Sequence, residues 1–264
     1  MESSYRFIQG ESPLLISMPH PSRRIPDTLL KRMTPAGQRS ADSDHHVDRL
    51  YDFATDFSSS MLIANYSRYV IDLNRDPAGK PLYGDRNNTE LCPLTTFDNE
   101  PIYLQGLEPD AIEIAERTER YWRPYHRKLQ EELCRIQQKF GAAILFDAHS
   151  IRSLVPRFHE GPIPDLNLGT ANGRSTDDAP AKIAYEILST SGLDLALNGV
   201  FAGGFITRHY GVPRNNIHAL QLELTWRNYM DEESHEYTPQ RANRLQSTLR
   251  ELLTRLIAWA EQKQ

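Results

Sequence analysis

Cysteine is scarce in this chain. Cys92 and Cys134 are the only two in 264 residues. Two are too few for a disulfide framework, and these are too far apart in sequence for a CxxC metal pair; both fit a reducing compartment. Long apolar runs are also missing. Nothing approaches the roughly 20 apolar residues that cross a bilayer. The opening segment, MESSYRFIQGESPLL, has no basic start leading into an apolar stretch, so no signal peptide is expected. A soluble, cytoplasmic protein is the expectation, with no membrane partner. Nor is there a basic excess: Lys and Arg number 30 against 35 Asp and Glu, a net charge of -5. That balance argues against a nucleic-acid partner, which needs cations to neutralise phosphates. Internal repeats, low-complexity tracts and Gly/Ser-rich linkers are absent too. What remains is globular, 39% apolar and 25% charged, long enough for one large domain or two small ones without cross-links.

Short apolar runs alternate with segments of helical period, the pattern of an α/β protein. The predicted strands are residues 14–18 (LLISM), 61–64 (MLIA), 69–73 (YVIDL), 142–146 (AAILF) and 219–224 (ALQLEL). Several are almost continuously apolar, as expected of strands covered on both faces. Spacings of three and four make helical stripes of Val47, Leu50, Tyr51, Ala54 and Phe57, and of Tyr121, Tyr125, Leu129, Leu133, Ile136 and Phe140. Pro124 starts or kinks the second helix and Gly141 ends it. A last helix opens at Thr238-Pro239 and carries Leu245, Leu249, Leu252, Leu256 and Trp259 on one face. These stripes are core. Two stretches, 77–109 and 150–176, read as long loops rich in Asn, Asp, Pro and Gly. Their length and their place after strands make them candidate walls of a binding cleft.

Ligands of open α/β sheets bind at the carboxyl ends of strands. Residues 14–18 are followed by Pro19-His20; 69–73 contains Asp72 and is followed by Asn74-Arg75; 142–146 is followed by Asp147 and His149; 219–224 carries Glu223. Two histidines, several carboxylates and an arginine thus converge on one predicted edge. A catalytic zinc takes about three protein ligands, often two histidines and a carboxylate, leaving a position for water. His20 and His149 offer the imidazoles, and the segment DSDHHVDRL offers Asp42, Asp44 and Asp48 for the carboxylate. Glu223 alternates with Leu222 and Leu224 and so points away from them. Beside a metal it could move protons; the alternative is an ion pair with Arg227 or another arginine. Asp147 shares a face with His149 and could orient a histidine ligand or pair with a nearby arginine. Arg68, Arg75 and Arg208 are candidate carboxylate binders, because a guanidinium grips a carboxylate through two parallel hydrogen bonds.

The segments SMPHPSRRIP, DSDHHVDRLYDFA, YSRYVIDLNR, LCPLTTFD, YWRPYH, DAHSIRS, PDLNLGT, GGFITRHYG and LQLELTWRNYMDE together resemble the N-formylglutamate amidohydrolases of histidine degradation, in order and across nearly the whole chain. DLNR also looks like the substrate-carboxylate motif of the aspartoacylases. The resemblance implies a single three-layer α/β/α domain over residues 1–264, carboxypeptidase-like with a central mixed sheet. It implies hydrolysis of a small molecule, N-formyl-L-glutamate, to formate and L-glutamate, with Zn2+ or another divalent transition metal. By position, His20 and His149 match the histidine ligands and Glu223 the general base. Asn74 and Arg75 match the carboxylate-binding pair. Asp44 is taken as the third ligand, and Arg68 and Arg208, with His209 and Tyr210, as contacts to a second carboxylate, Arg208 favoured. Hydrolysis of another N-acyl acidic amino acid, or metal and ligand binding without turnover, are the alternatives. Two departures stand out. Pro21-Ser22 follows His20 where the family commonly has Ser or Thr and then Gly, and His45 stands where an aromatic residue is usual.

Overall fold

The computed structural model describes residues 3–82 and 88–263; residues 83–87 of the predicted 77–109 loop lie outside the described residues. Among the described residues, seven strands form one sheet. They are β1 (Tyr5–Ile8), β2 (Leu14–Met18), β3 (Ser60–Ala64), β4 (Ala143–Ile151), β5 (Leu166–Gly169), β6 (Leu195–Leu197) and β7 (Ile217–Thr225), in the order β1-β3-β2-β4-β7-β5-β6. The central strands β3, β2, β4 and β7 are parallel. β1 runs antiparallel on one edge, and β5, antiparallel to β7, carries β6 on the other. The sheet is therefore mixed, as expected.

Every residue of β2, β3 and β4 is buried, because each face of the sheet packs against helices. Leu14, Ile16 and Met18 of β2 join a cluster with the helices Pro239–Glu261 and Asp178–Ser189. Leu15 turns the other way, into a cluster with the helix Arg123–Phe140. These two clusters make the fold a three-layer α/β/α arrangement. On the Leu15 face, the carboxyl-end residues turn polar: Ser17 in β2, Asp147 and His149 in β4, and Gln221 and Glu223 in β7. Register pairs Ser17 with Asp147, Asp147 with Gln221, and His149 with Glu223.

Several expectations are corrected. Residues 69–73 form no strand but a turn and loop, with Asp72 N donating to the Leu91 carbonyl at 2.7 Å. Their apolar side chains are buried all the same, and burial without periodicity looks alike in a strand and a packed loop. β4 does not end at Phe146; it stays paired with β7 as far as Ile151, so only one face changes character. The stripe at 47–57 divides into the short helix Val47–Leu50 and a 3-10 turn, Asp52–Phe57. The second helix extends upstream: Ala111–Arg117, a π turn Thr118–Trp122 and Arg123–Phe140 run without a break. Pro124, which has no N–H to return to the preceding turn, sits two residues past the end of that widened turn. The last helix starts at Pro239 behind Thr238 as predicted, although the Thr238 side chain makes no capping hydrogen bond. β1, β5, β6 and the helix Asp178–Ser189 were not expected.

Candidate metal centre and cavity

His20 lies two residues beyond β2, and its carbonyl accepts from Asp44 N at 2.8 Å. That bond draws the loop before the helix Val47–Leu50 onto the end of the sheet. Asp44 and both histidines are almost fully buried. Asp44 Oδ2 stands 3.0 Å from His149 Nδ1 and 3.8 Å from His20 Nδ1. Ligand atoms of His20, Asp44 and His149 lie within 4.8 Å of one another, a group that could hold a metal ion.

The far side of each imidazole is also held. His20 Nε2 is 2.8 Å from Asp72 Oδ1, and Asp72 accepts from Arg68 Nη2 at 2.6 Å. His149 Nε2 is 3.0 Å from the Asn74 amide nitrogen and 3.1 Å from Asp147 Oδ2. Carboxylates behind the ring are what metal-ligating histidines use to fix tautomer and orientation. His20 Nδ1 is buried without a hydrogen-bond partner, a state that costs free energy and that a cation beside Asp44 relieves. The donor set of two imidazoles and one carboxylate fits a divalent transition metal.

The electrostatics agree with this donor set. Burial, helped by Arg68, lowers the His20 pKa and keeps the ring neutral. Burial opposes charge on His149 too, but Asp147 and Asp44 outweigh it and hold its pKa well above the ordinary value. The same two carboxylates would stabilise a cation bound beside the ring. Glu223 is 9% exposed, and burial, opposed mainly by His149, pushes its carboxyl up to about 8. Among the described residues Glu223 forms no ion pair with an arginine, and Arg227 Nε donates to Asp165 Oδ1 at 2.7 Å instead.

His20, Asp44, His149 and Glu223 all line one cavity of about 400 Å³. Both predicted cleft walls reach it, the first through Leu82, Asn88 and Phe97 and the second through Arg157, Phe158 and His159. Asn74, Arg75 and Arg68 are also in its lining, but with different freedom. Asn74 is nearly spent: its Oδ1 accepts from Ile206 N at 2.8 Å while its amide nitrogen faces His149. Arg75 bonds Thr89 Oγ1 at 2.7 Å and the Asn74 carbonyl at 3.0 Å. Arg68 is committed to Asp72 and stands behind a ligand. Arg208 is absent from the described lining; it donates to the carbonyls of Gly203 at 2.7 Å and Leu82 at 2.8 Å. Those two bonds tie the Gly203 and Leu82 segments together.

His45 is buried against Trp226, ring centroids 4.8 Å apart, and burial lowers its pKa to about 4; it is not in the metal-ligating group. At the altered turn, Ser22 Oγ donates to the Asn65 carbonyl at 2.9 Å. Tyr229 and Arg157 were not singled out from the sequence. The Tyr229 hydroxyl lies 2.7 Å from the His45 carbonyl and 2.8 Å from Ser150 Oγ, pinning the backbone beside Asp44. A cation set among apolar residues in VPRF is the only sequence signal for Arg157.

Residues 12–230 match the model of the N-formylglutamate amidohydrolase family. The chain is 44% identical over 265 aligned residues to the N-formylglutamate deformylases of Pseudomonas aeruginosa and Pseudomonas putida, covering 100% of this chain and 99% of each relative. Its fold is similar to the crystal structure of N-formylglutamate amidohydrolase from Ralstonia eutropha, with a TM-score of 0.77, 25% identity and 98% of both chains covered. A gene product of Agrobacterium tumefaciens shares the fold at a TM-score of 0.73 and 16% identity, over 97% of this chain and 96% of that one.

Proposed function

Because this chain belongs to the N-formylglutamate amidohydrolase family, we propose that its cavity hydrolyses N-formyl-L-glutamate to formate and L-glutamate. The observation that carries the reading is the meeting of His20, Asp44, His149 and Glu223 on the wall of one cavity. His20, Asp44 and His149 are the residues that would hold the metal, zinc being the first choice for two imidazoles and a carboxylate. A divalent ion bound there supplies Lewis acidity toward the formyl oxygen and makes water more acidic.

The remaining chemistry belongs to side chains. Glu223 accepts a proton from the attacking water and passes it to the amide nitrogen as the C–N bond breaks. Water, formyl group and amine then balance as formate plus L-glutamate. Arg75, held on the wall by Thr89 and the Asn74 carbonyl, provides the charge for a substrate carboxylate, while Asn74 fixes His149. Asp72 and Asp147 orient the two imidazoles, and Arg68 keeps Asp72 ionised. A cytoplasmic setting belongs to the same reading, since Cys92 and Cys134 are both free thiols, the state a reducing compartment maintains. No helix among the described residues is long and apolar enough to cross a membrane.

The experiment compares N-formyl-, N-acetyl- and N-succinyl-L-glutamate with the zinc-loaded protein, measuring release of L-glutamate. The formyl substrate is expected to have the highest kcat/KM. Preference for a larger acyl group would move the assignment to another N-acyl amino acid.

A further inference from the structure

We propose that Arg157 is the specificity-determining residue that receives the substrate carboxylate remote from the scissile amide; the assignment rests on the dicarboxylate reading above. Arg157 lines the same cavity as the metal-ligating group. Its Nη1 is fully used, donating to Thr95 Oγ1 at 2.9 Å and to the Thr96 carbonyl at 2.7 Å. Its Nε is buried with no hydrogen-bond partner, and among the described residues no bond engages Nη2. The guanidinium is thus anchored at one nitrogen while its Nε–Nη2 edge remains unpaired. That edge carries two parallel N–H groups and matches the two oxygens of a carboxylate. Leaving a buried donor unsatisfied is unfavourable, so an anion on this edge gains both its own bonds and relief of Nε.

The loop is built to hold this edge still. Ser153 is tied to Glu232 through its N–H at 2.8 Å and its hydroxyl at 2.6 Å. Ile163 N returns to the Ser153 carbonyl at 2.8 Å, and Leu154 bridges Pro162. Next to Arg157, Phe158 packs edge-on against Phe97 at 4.9 Å and Phe201 at 6.1 Å, both in the cavity wall.

Arg75 and Arg157 divide the work by position. Arg75 adjoins Asn74, whose amide touches His149, so it suits the α-carboxylate, one carbon from the amide nitrogen. Arg157 is anchored on the Thr95–Thr96 segment, and among the described residues no hydrogen bond or ion pair joins it to His20, Asp44 or His149. It therefore suits the side-chain carboxylate. Lysine at 157 would keep the charge but lose the fork.

The test uses metal-loaded wild type, Arg157→Met and Arg157→Lys with N-formyl-L-glutamate and its neutral isostere N-formyl-L-glutamine. In Arg157→Met the ratio of kcat/KM for the acid over the amide should fall about 10- to 100-fold, chiefly through KM. An unchanged ratio would overturn the assignment. If Arg157→Met does not fold once Thr95 and Thr96 lose their donor, Arg157→Lys decides in the same way, with a smaller but definite fall expected. Calorimetric binding of glutarate against butyrate provides a readout free of turnover. Wild type that binds glutarate preferentially but releases no formate would sink the deformylase reading alone. Glutarate preference that survives in both variants would overturn the role of Arg157 alone.

Discussion

His149 on β4 and Glu223 on β7 are register partners on neighbouring parallel strands, in a ladder unbroken from Ala143–Ile217 to Ile151–Thr225. Adjacent strands lie about 4.8 Å apart, so the proposed ligand and the proposed base are set side by side by sheet geometry. A site fixed in this way loses little entropy when it acts, because backbone pairing has already ordered both groups.

Replacing Glu223 by Gln keeps the shape and removes the proton acceptor. Turnover should fall about 10²- to 10⁴-fold, while metal content measured by elemental analysis stays at the wild-type level. Turnover within a few-fold of wild type would remove Glu223 from the base role.

The same residue predicts a pH effect on the metal-free protein. Burial raises its pKa from 4.5 to about 8, so between those values the folded state keeps a proton that the unfolded chain has released. The sign follows: this group favours folding most below its unfolded value, and the contribution is lost as pH rises toward the folded one. Metal-stripped Glu223→Gln should therefore gain stability over wild type between about pH 5 and about pH 8, by on the order of 1–3 kcal/mol. Urea unfolding at the two pH values checks this, and a difference independent of pH would contradict it.

Arg68 supports the centre from behind. The Asp72 side chain is fully buried, and Arg68 and Arg75 overcome the cost of burial and hold its pKa well below the ordinary range. Arg68→Met leaves that carboxylate without its closest partner, which should cost about 3–5 kcal/mol. Metal affinity should weaken about 10- to 100-fold through the loosened His20. Denaturant unfolding and chelator competition measure the two effects. Wild-type affinity in this variant would show that Asp72 does not need Arg68 to orient His20.

Gly204 is small for a reason visible at the site. A Cβ there would lie 2.3 Å from the Asn74 amide nitrogen, which contacts His149. Gly204→Ala should push Asn74 aside and lower kcat at least several-fold with a stability loss of about 1–3 kcal/mol. Steady-state kinetics alongside thermal unfolding checks it; unchanged kcat would mean that Asn74 is free to move.

The convergence at the sheet edge was legible because polar residues interrupt strands that are otherwise continuously apolar. Asp147, His149 and Glu223 break the pattern on one face of β4 and β7, and that break marks where the helical cover ends. Residues 69–73 misled for the converse reason. Their side chains are core, but their backbone is satisfied by loop partners, which hydrophobicity does not report. β5 was hidden because Asn167, fully buried, donates to the Phe201 carbonyl from inside the sheet and so reads as loop. What engages Arg208 and Arg157 was not readable from the sequence, since the carbonyls of Gly203, Leu82 and Thr96 meet them only in the fold. The partners of Arg157, Thr95 and Thr96, lie in a loop remote in sequence, whereas Arg68 finds Asp72 only four residues on.

The most direct test of the central claim is a zinc titration of metal-stripped protein, following formate release from N-formyl-L-glutamate. Activity should be absent in chelator, rise linearly with added zinc and saturate near one equivalent, with His149→Ala failing to recover at any ratio. Full formate release from protein shown by elemental analysis to be metal-free would contradict the account.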